Sequence, residues 1–103
     1  MSQSERTVRK VKYSMEFAEF VCRTAEALGD LLLYIGSEKL IQGYEHNDPE
    51  AKNLGIKTII EGRNMLMKVG FMDVAISKIK NNDGAEKWGS YLELRIDNLI
   101  EGI

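Results

Sequence analysis

A chain of 103 residues with one cysteine and a formal net charge of −2 has the length of a single domain, and it cannot close an internal disulfide. The slight acidic excess argues against bulk binding of nucleic acid, and the polar, charged start and the lack of a long apolar run give no reason to expect a membrane span or a secretory leader. The expectation is one cytoplasmic domain over residues 1–103, with no metal or cofactor and no membrane partner.

The charges are unevenly placed. Residues 1–12 carry Arg6, Arg9, Lys10 and Lys12 against Glu5, whereas residues 81–103 carry Asp83, Glu86, Glu93, Asp97 and Glu101 against Lys87 and Arg95. After a start in which Ser4 is a candidate N-cap, polar residues recur at spacings of three and four from Thr7 to Ile35: Lys12, Glu16, Glu19, Arg23, Glu26 and Asp30. That spacing draws one polar strip down one long helix. Val8, Val11, Met15, Ala18, Cys22, Ala25 and Leu32 run along one flank, and Phe17, Phe20, Ala27, Leu31 and Tyr34 along the other, with Val21, Leu28 and Ile35 between. An apolar arc wider than about 100° belongs to a helix covered on more than one side. Cys22 lies inside this pattern and reads as a buried, inert thiol.

Gly36-Ser37 reads as a stop and a restart, with a short turn over residues 38–42 ended by Gly43. Gly29, Gly36 and Gly43 are seven residues apart, but the residues between them are not self-similar, so no repeat architecture follows. Tyr44 to Asn47 forms the main loop.

Asp48-Pro49-Glu50 is the clearest helix start: a capping carboxylate, a proline suited to the first helical position, and an acid at the positive end of the helix dipole. Ala51, Leu54, Gly55, Thr58, Ile59, Gly62, Met65, Leu66 and Val69 share one side of the helix that follows. Interior glycines cost about 0.5–1 kcal/mol each relative to alanine, so Gly55 and Gly62 suit the close approach of another backbone, with Ala18, Cys22, Ala25 and Gly29 as its expected partner. Gly70 reads as a left-handed C′ stop. Ile56, Ile60 and Met67 fall on the far side, where a lone helix pair would leave them in water.

Beyond Gly70, Met72, Ala75, Ile76 and Ile79 suit a short helix, and Asp83 an N-cap for a last helix with Glu86 at its third position. Ala85, Trp88, Leu92, Ile96, Leu99 and Ile103 form the apolar stripe of that helix. The competing reading is α+β, with a C-terminal β-hairpin over residues 72–97 turning at Asn82-Asp83-Gly84. The helical pattern continues past the reach of such a hairpin, so the expected fold is all-α, an antiparallel bundle of about four helices.

Catalytic signatures are absent from the sequence: no phosphate-binding glycine loop, no HExxH, no CxxC, no serine elbow. His46, with Glu45 and Asp48 nearby, could face a metal, but Asp48 is already needed as a cap, and a solvated loop histidine is the simpler account. The carboxylates Glu16 with Glu19, and Glu93 with Asp97, lie on outward strips that offer little of the burial general acid work needs. The expected function is therefore non-enzymatic: an adaptor, regulator or inhibitor acting through protein–protein contact, as a homodimer or higher oligomer and with another protein. Its apolar anchors are Phe17, Phe20, Leu31, Tyr34, Ile56, Ile60 and Met67.

Residues 55–100 resemble in outline the small helical subunits of type III CRISPR effector complexes: a helix ending near Val69-Gly70-Phe71, a short apolar helix, an Asn/Asp/Gly-rich loop, and a helix with Tyr91, Leu92 and Leu99. That resemblance implies the alternative function, a subunit of a nucleoprotein complex. Arg6, Arg9, Lys10 and Lys12, with Tyr13 among them, would then contact the nucleic-acid backbone.

Overall fold

The computed structural model describes residues 14–102. Every regular element among them is helical: α1 over Met15–Glu45, α2 over Pro49–Lys80 and α3 over Ala85–Gly102. The fold class is all-α, with three helices among these residues where about four were expected, and no strand forms over 72–97. Residues 1–13, including the start expected at Thr7, lie outside the described residues. Within them the first helix is capped by Ser14, whose Oγ accepts from the backbone N–H of Phe17 at 3.3 Å.

Two expected helix stops are overturned. Gly36 lies inside α1 and Gly70 inside α2, so the short turn over 38–42 and the short helix after Gly70 are continuations of the long helices. A glycine ends a helix when it takes the left-handed conformation, and here asparagines do so instead, Asn47 at φ 50° and Asn82 at φ 56°. Each closes the last turn with a five-residue backbone bond, Asp48 N to Gly43 O at 2.8 Å and Asp83 N to Lys78 O at 2.9 Å, the pattern of a Schellman stop. Asparagine tolerates this region because its short polar side chain bonds locally.

The start at Asp48 forms as expected. Its Oδ1 accepts from Glu50 N at 3.0 Å and Ala51 N at 3.3 Å, a cap that contributes about 1 kcal/mol. Asp83, in contrast, does not cap α3. Its carboxylate meets Lys78 Nζ at 3.2 Å, and Gly84, at φ +70°, supplies the carbonyl that receives Trp88 N at 3.1 Å. Glu86 therefore stands at the second helical position.

The chain divides into two compact units, residues 24–69 and the pair of segments 14–23 and 70–102. The first is a helical hairpin joined by the turn at 46–48. Gly29 and Gly36 on α1 face Gly62 and Gly55 on α2. A Cβ added at Gly36 would stand 2.9 Å from Gly55 O, and one added at Gly62 would stand 2.8 Å from Gly29 O. The expected close approach is thus present, but its α1 side is built of Gly29, Gly36 and Gly43. Gly43 meets Lys52, with its backbone nitrogen 2.6 Å from an added Cβ.

In the second unit the start of α1, the end of α2 and α3 bury Ala18, Cys22, Met72, Ala75, Ile76, Leu92, Ile96 and Leu99. Ala18 and Cys22 thus serve this core. Arg23 meets Asp73 at 2.6 Å, and Lys80 meets Glu19. All four side chains are about half exposed, so each pair contributes roughly 0–1 kcal/mol.

Candidate interaction surface

The hairpin over 24–69 is held together differently from an ordinary helix pair. Its buried residues are Ala25, Gly29, Gly36, Gly43, Gly55, Gly62 and Val69, nearly all small. The seam brings backbones together, with Leu66 lying over Gly29 and Ile59 over Gly36, and it leaves a second set of large apolar residues uncovered. Leu31, Tyr34, Ile56, Ile60 and Met67 are 45–67% exposed, and Ile35, Ile41, Tyr44 and Leu54 are exposed as well.

One contact fixes which sides of the two helices look the same way. Lys52 Nζ sits 4.7 Å from the centre of the Tyr44 ring, a cation–π arrangement across the two ends of the turn. Stepping back from Tyr44 by helical spacing reaches Ile41, Ser37, Tyr34 and Asp30; stepping forward from Lys52 reaches Ile56, Ile60, Arg63 and Met67. These residues form one face of the hairpin. Its large side chains are mostly apolar, and all of the named ones but the half-buried Lys52 are exposed.

Phe17 and Phe20 belong to the other unit. Phe20 is 66% exposed, whereas Phe17 is half-buried and lines a shallow groove of about 400 Å³ with Ser14, Glu16 and Phe20. The seven predicted anchors therefore fall into two sets, five on the hairpin and two outside it. On the same unit as the phenylalanines, Arg95 lies between two rings, 5.3 Å from Phe71 and 5.1 Å from Tyr91, and its Nε donates to the Tyr91 hydroxyl at 3.0 Å. Sequence reasoning missed this cluster; its signal was the i,i+4 spacing of Tyr91 and Arg95.

A polar cleft of about 500 Å³ lies beside the ion pairs, lined by Glu19, Arg23, Asp73, Ile76, Ser77, Lys80 and Asn81. Cys22 is fully buried in this unit. Burial first, and then the Asp73 carboxylate, push its thiol up to about 11 from an ordinary value of 9.0, with Arg23 opposing. The thiol should stay protonated and unreactive toward iodoacetamide at pH 8 in the folded chain, and react at the rate of a free thiol once urea unfolds it. The raised value also sets a pH dependence. The stability that the neutral thiol contributes is complete below about pH 9 and is lost as the pH climbs toward 11, because the unfolded chain releases that proton first.

His46 sits exposed in the turn, and no three His, Cys, Asp or Glu side chains among the described residues come together as a metal site. No described helix is long and apolar enough to cross a membrane. Arg6, Arg9, Lys10 and Lys12, the candidate nucleic-acid contacts, lie outside the described residues. The helix end that carried the CRISPR small-subunit resemblance is not formed, since α2 runs unbroken through Val69, Gly70 and Phe71. No family model, no curated protein and no solved structure matches the chain.

Proposed function

We propose that the protein is a non-enzymatic, cytoplasmic adaptor or regulator that works by self-association, most simply as a homodimer, and in that form engages another protein. The observation that carries this reading is the mismatch inside the hairpin over 24–69: glycines bring its backbones together while Leu31, Tyr34, Ile41, Ile56, Ile60 and Met67 stand in solvent. Fully burying one such side chain is worth about 1.5–3 kcal/mol. Monomers rarely leave a contiguous patch of this kind open, and a second copy is the partner available at the same concentration wherever the chain is made.

Sedimentation equilibrium across a hundredfold range of protein concentration tests the reading. A mass that rises from one chain weight to a defined multiple is expected. A single chain weight throughout the range would overturn the proposal.

A further inference from the structure

We propose that the second copy docks hairpin against hairpin about a two-fold axis parallel to the helices, α1 of each copy lying antiparallel on α2 of the other, with Asp30 beside the partner's Arg63. This rests on the self-association reading above and specifies its geometry. The face concerned is the one marked by the Tyr44–Lys52 contact, which holds Tyr34, Ile41, Ile56, Ile60 and Met67 exposed.

Charge selects the pairing. On this face α1 carries Asp30, and α2 carries Lys52 and Arg63. Laying α1 on α1, or α2 on α2, sets like charges together at a cost, whereas laying α1 on the partner's α2 sets opposite charges together twice. Asp30 and Arg63 are both exposed, and neither forms an ion pair within the described residues. They are therefore available to a second molecule.

The glycine seam supplies the register. Gly29 lies between the levels of Gly62 and Leu66, and Gly36 between those of Gly55 and Ile59. A two-fold axis along the helices leaves every height unchanged, so the levels within one hairpin hold between copies. Counting one residue on from Gly29 then puts Asp30 within about 3 Å of Arg63 along the axis at 1.5 Å per residue. The same count puts Tyr34 between the levels of Ile56 and Ile60, where a large ring fills the space between two branched side chains. Each stretch is roughly 30 Å long, and two helices side by side span roughly 20 Å. A face on the order of 600 Å² before its relief is counted approaches the roughly 800 Å² per partner of a standard interface. The two-fold axis closes the assembly and leaves no copy of this face open.

Charge reversal tests the docking. Each of the variants D30R and R63E places like charges together twice in its own dimer, and should raise the dimer dissociation constant about tenfold or more at low salt with the helical circular dichroism unchanged. Mixed one to one, they put Arg against Glu and Asp against Arg, so the mixture should recover wild-type affinity and native mass spectrometry should show mainly the mixed dimer. The chain carrying both changes should recover on its own. A wild-type dimer left unaffected by either reversal, or a mixture as weak as its components, would overturn this docking and leave self-association standing. A wild-type chain that is monomeric at every concentration would overturn both.

Discussion

Gly55→Ala should destabilise the protein by about 1–2 kcal/mol, while Gly70→Ala should stabilise it by about 0.5–1 kcal/mol. Both glycines lie in the interior of α2, where alanine is intrinsically the better helix former by about that smaller amount. What separates them is what a Cβ would meet. At Gly55 it would stand 2.6 Å from Leu40 N, 2.8 Å from Gly36 O and 2.9 Å from Leu40 Cα, all backbone atoms that move only if the helices part; at Gly70 it would meet nothing within 4 Å. Overpacking against a rigid neighbour costs about 1–3 kcal/mol, and losing the seam removes the register of the whole hairpin. Urea unfolding of the two variants beside the parent, at one protein concentration so that association does not shift the midpoints, checks the signs. Two shifts of the same sign would mean that the seam does not hold the hairpin.

Ile60→Asp should abolish self-association without unfolding the chain. Ile60 is 51% exposed in the single copy, so folding does not depend on its burial, and an aspartate in mid-helix costs only about 0.7 kcal/mol of propensity. Docking is another matter. A carboxylate closed into an apolar face without a partner costs several kcal/mol, and a two-fold interface meets that cost twice. A loss of about 4 kcal/mol corresponds to roughly a thousandfold in the dissociation constant. Light scattering at a concentration where the parent is dimeric should then report a single chain, with the helical signal of the parent. An oligomer mass equal to the parent's would remove Ile60 and its neighbours from the interface.

Where local chemistry alone decides an element, the sequence was readable. Asp48, Pro49 and Glu50 form a helix start whatever surrounds them, and the cap is present with both expected hydrogen bonds. Glycine is ambiguous in a way these residues are not, because the same lack of a side chain serves a left-handed stop and a close approach of two helices. Gly36 and Gly70 both read as stops, yet Gly36 serves the close approach and Gly70 continues its helix. The signal that resolves Gly36 is relational: Gly29, Gly36 and Gly43 share the seven-residue spacing of Gly55 and Gly62, which puts both sets on matching helix faces. The actual stops, at Asn47 and Asn82, carried a weaker signal, since asparagine serves equally well in turns and caps. The outward apolar side chains Ile56, Ile60 and Met67 were legible from helical spacing, which sets them on the far side from Gly55 and Gly62. The i,i+4 spacing of Tyr91 and Arg95 was readable, whereas the contact of Arg95 with the Phe71 ring depends on an approach between helices that no local pattern announces.

The seam of glycines has a calorimetric consequence. Heat capacity rises on unfolding chiefly because apolar groups enter water, and helices brought together at glycines release fewer such groups per residue than helices packed through large side chains at every turn. The hairpin of one copy should therefore add less than its length suggests to the heat-capacity increment. Side chains sealed between copies should add a further part, and that part should fade as dilution takes the copies apart.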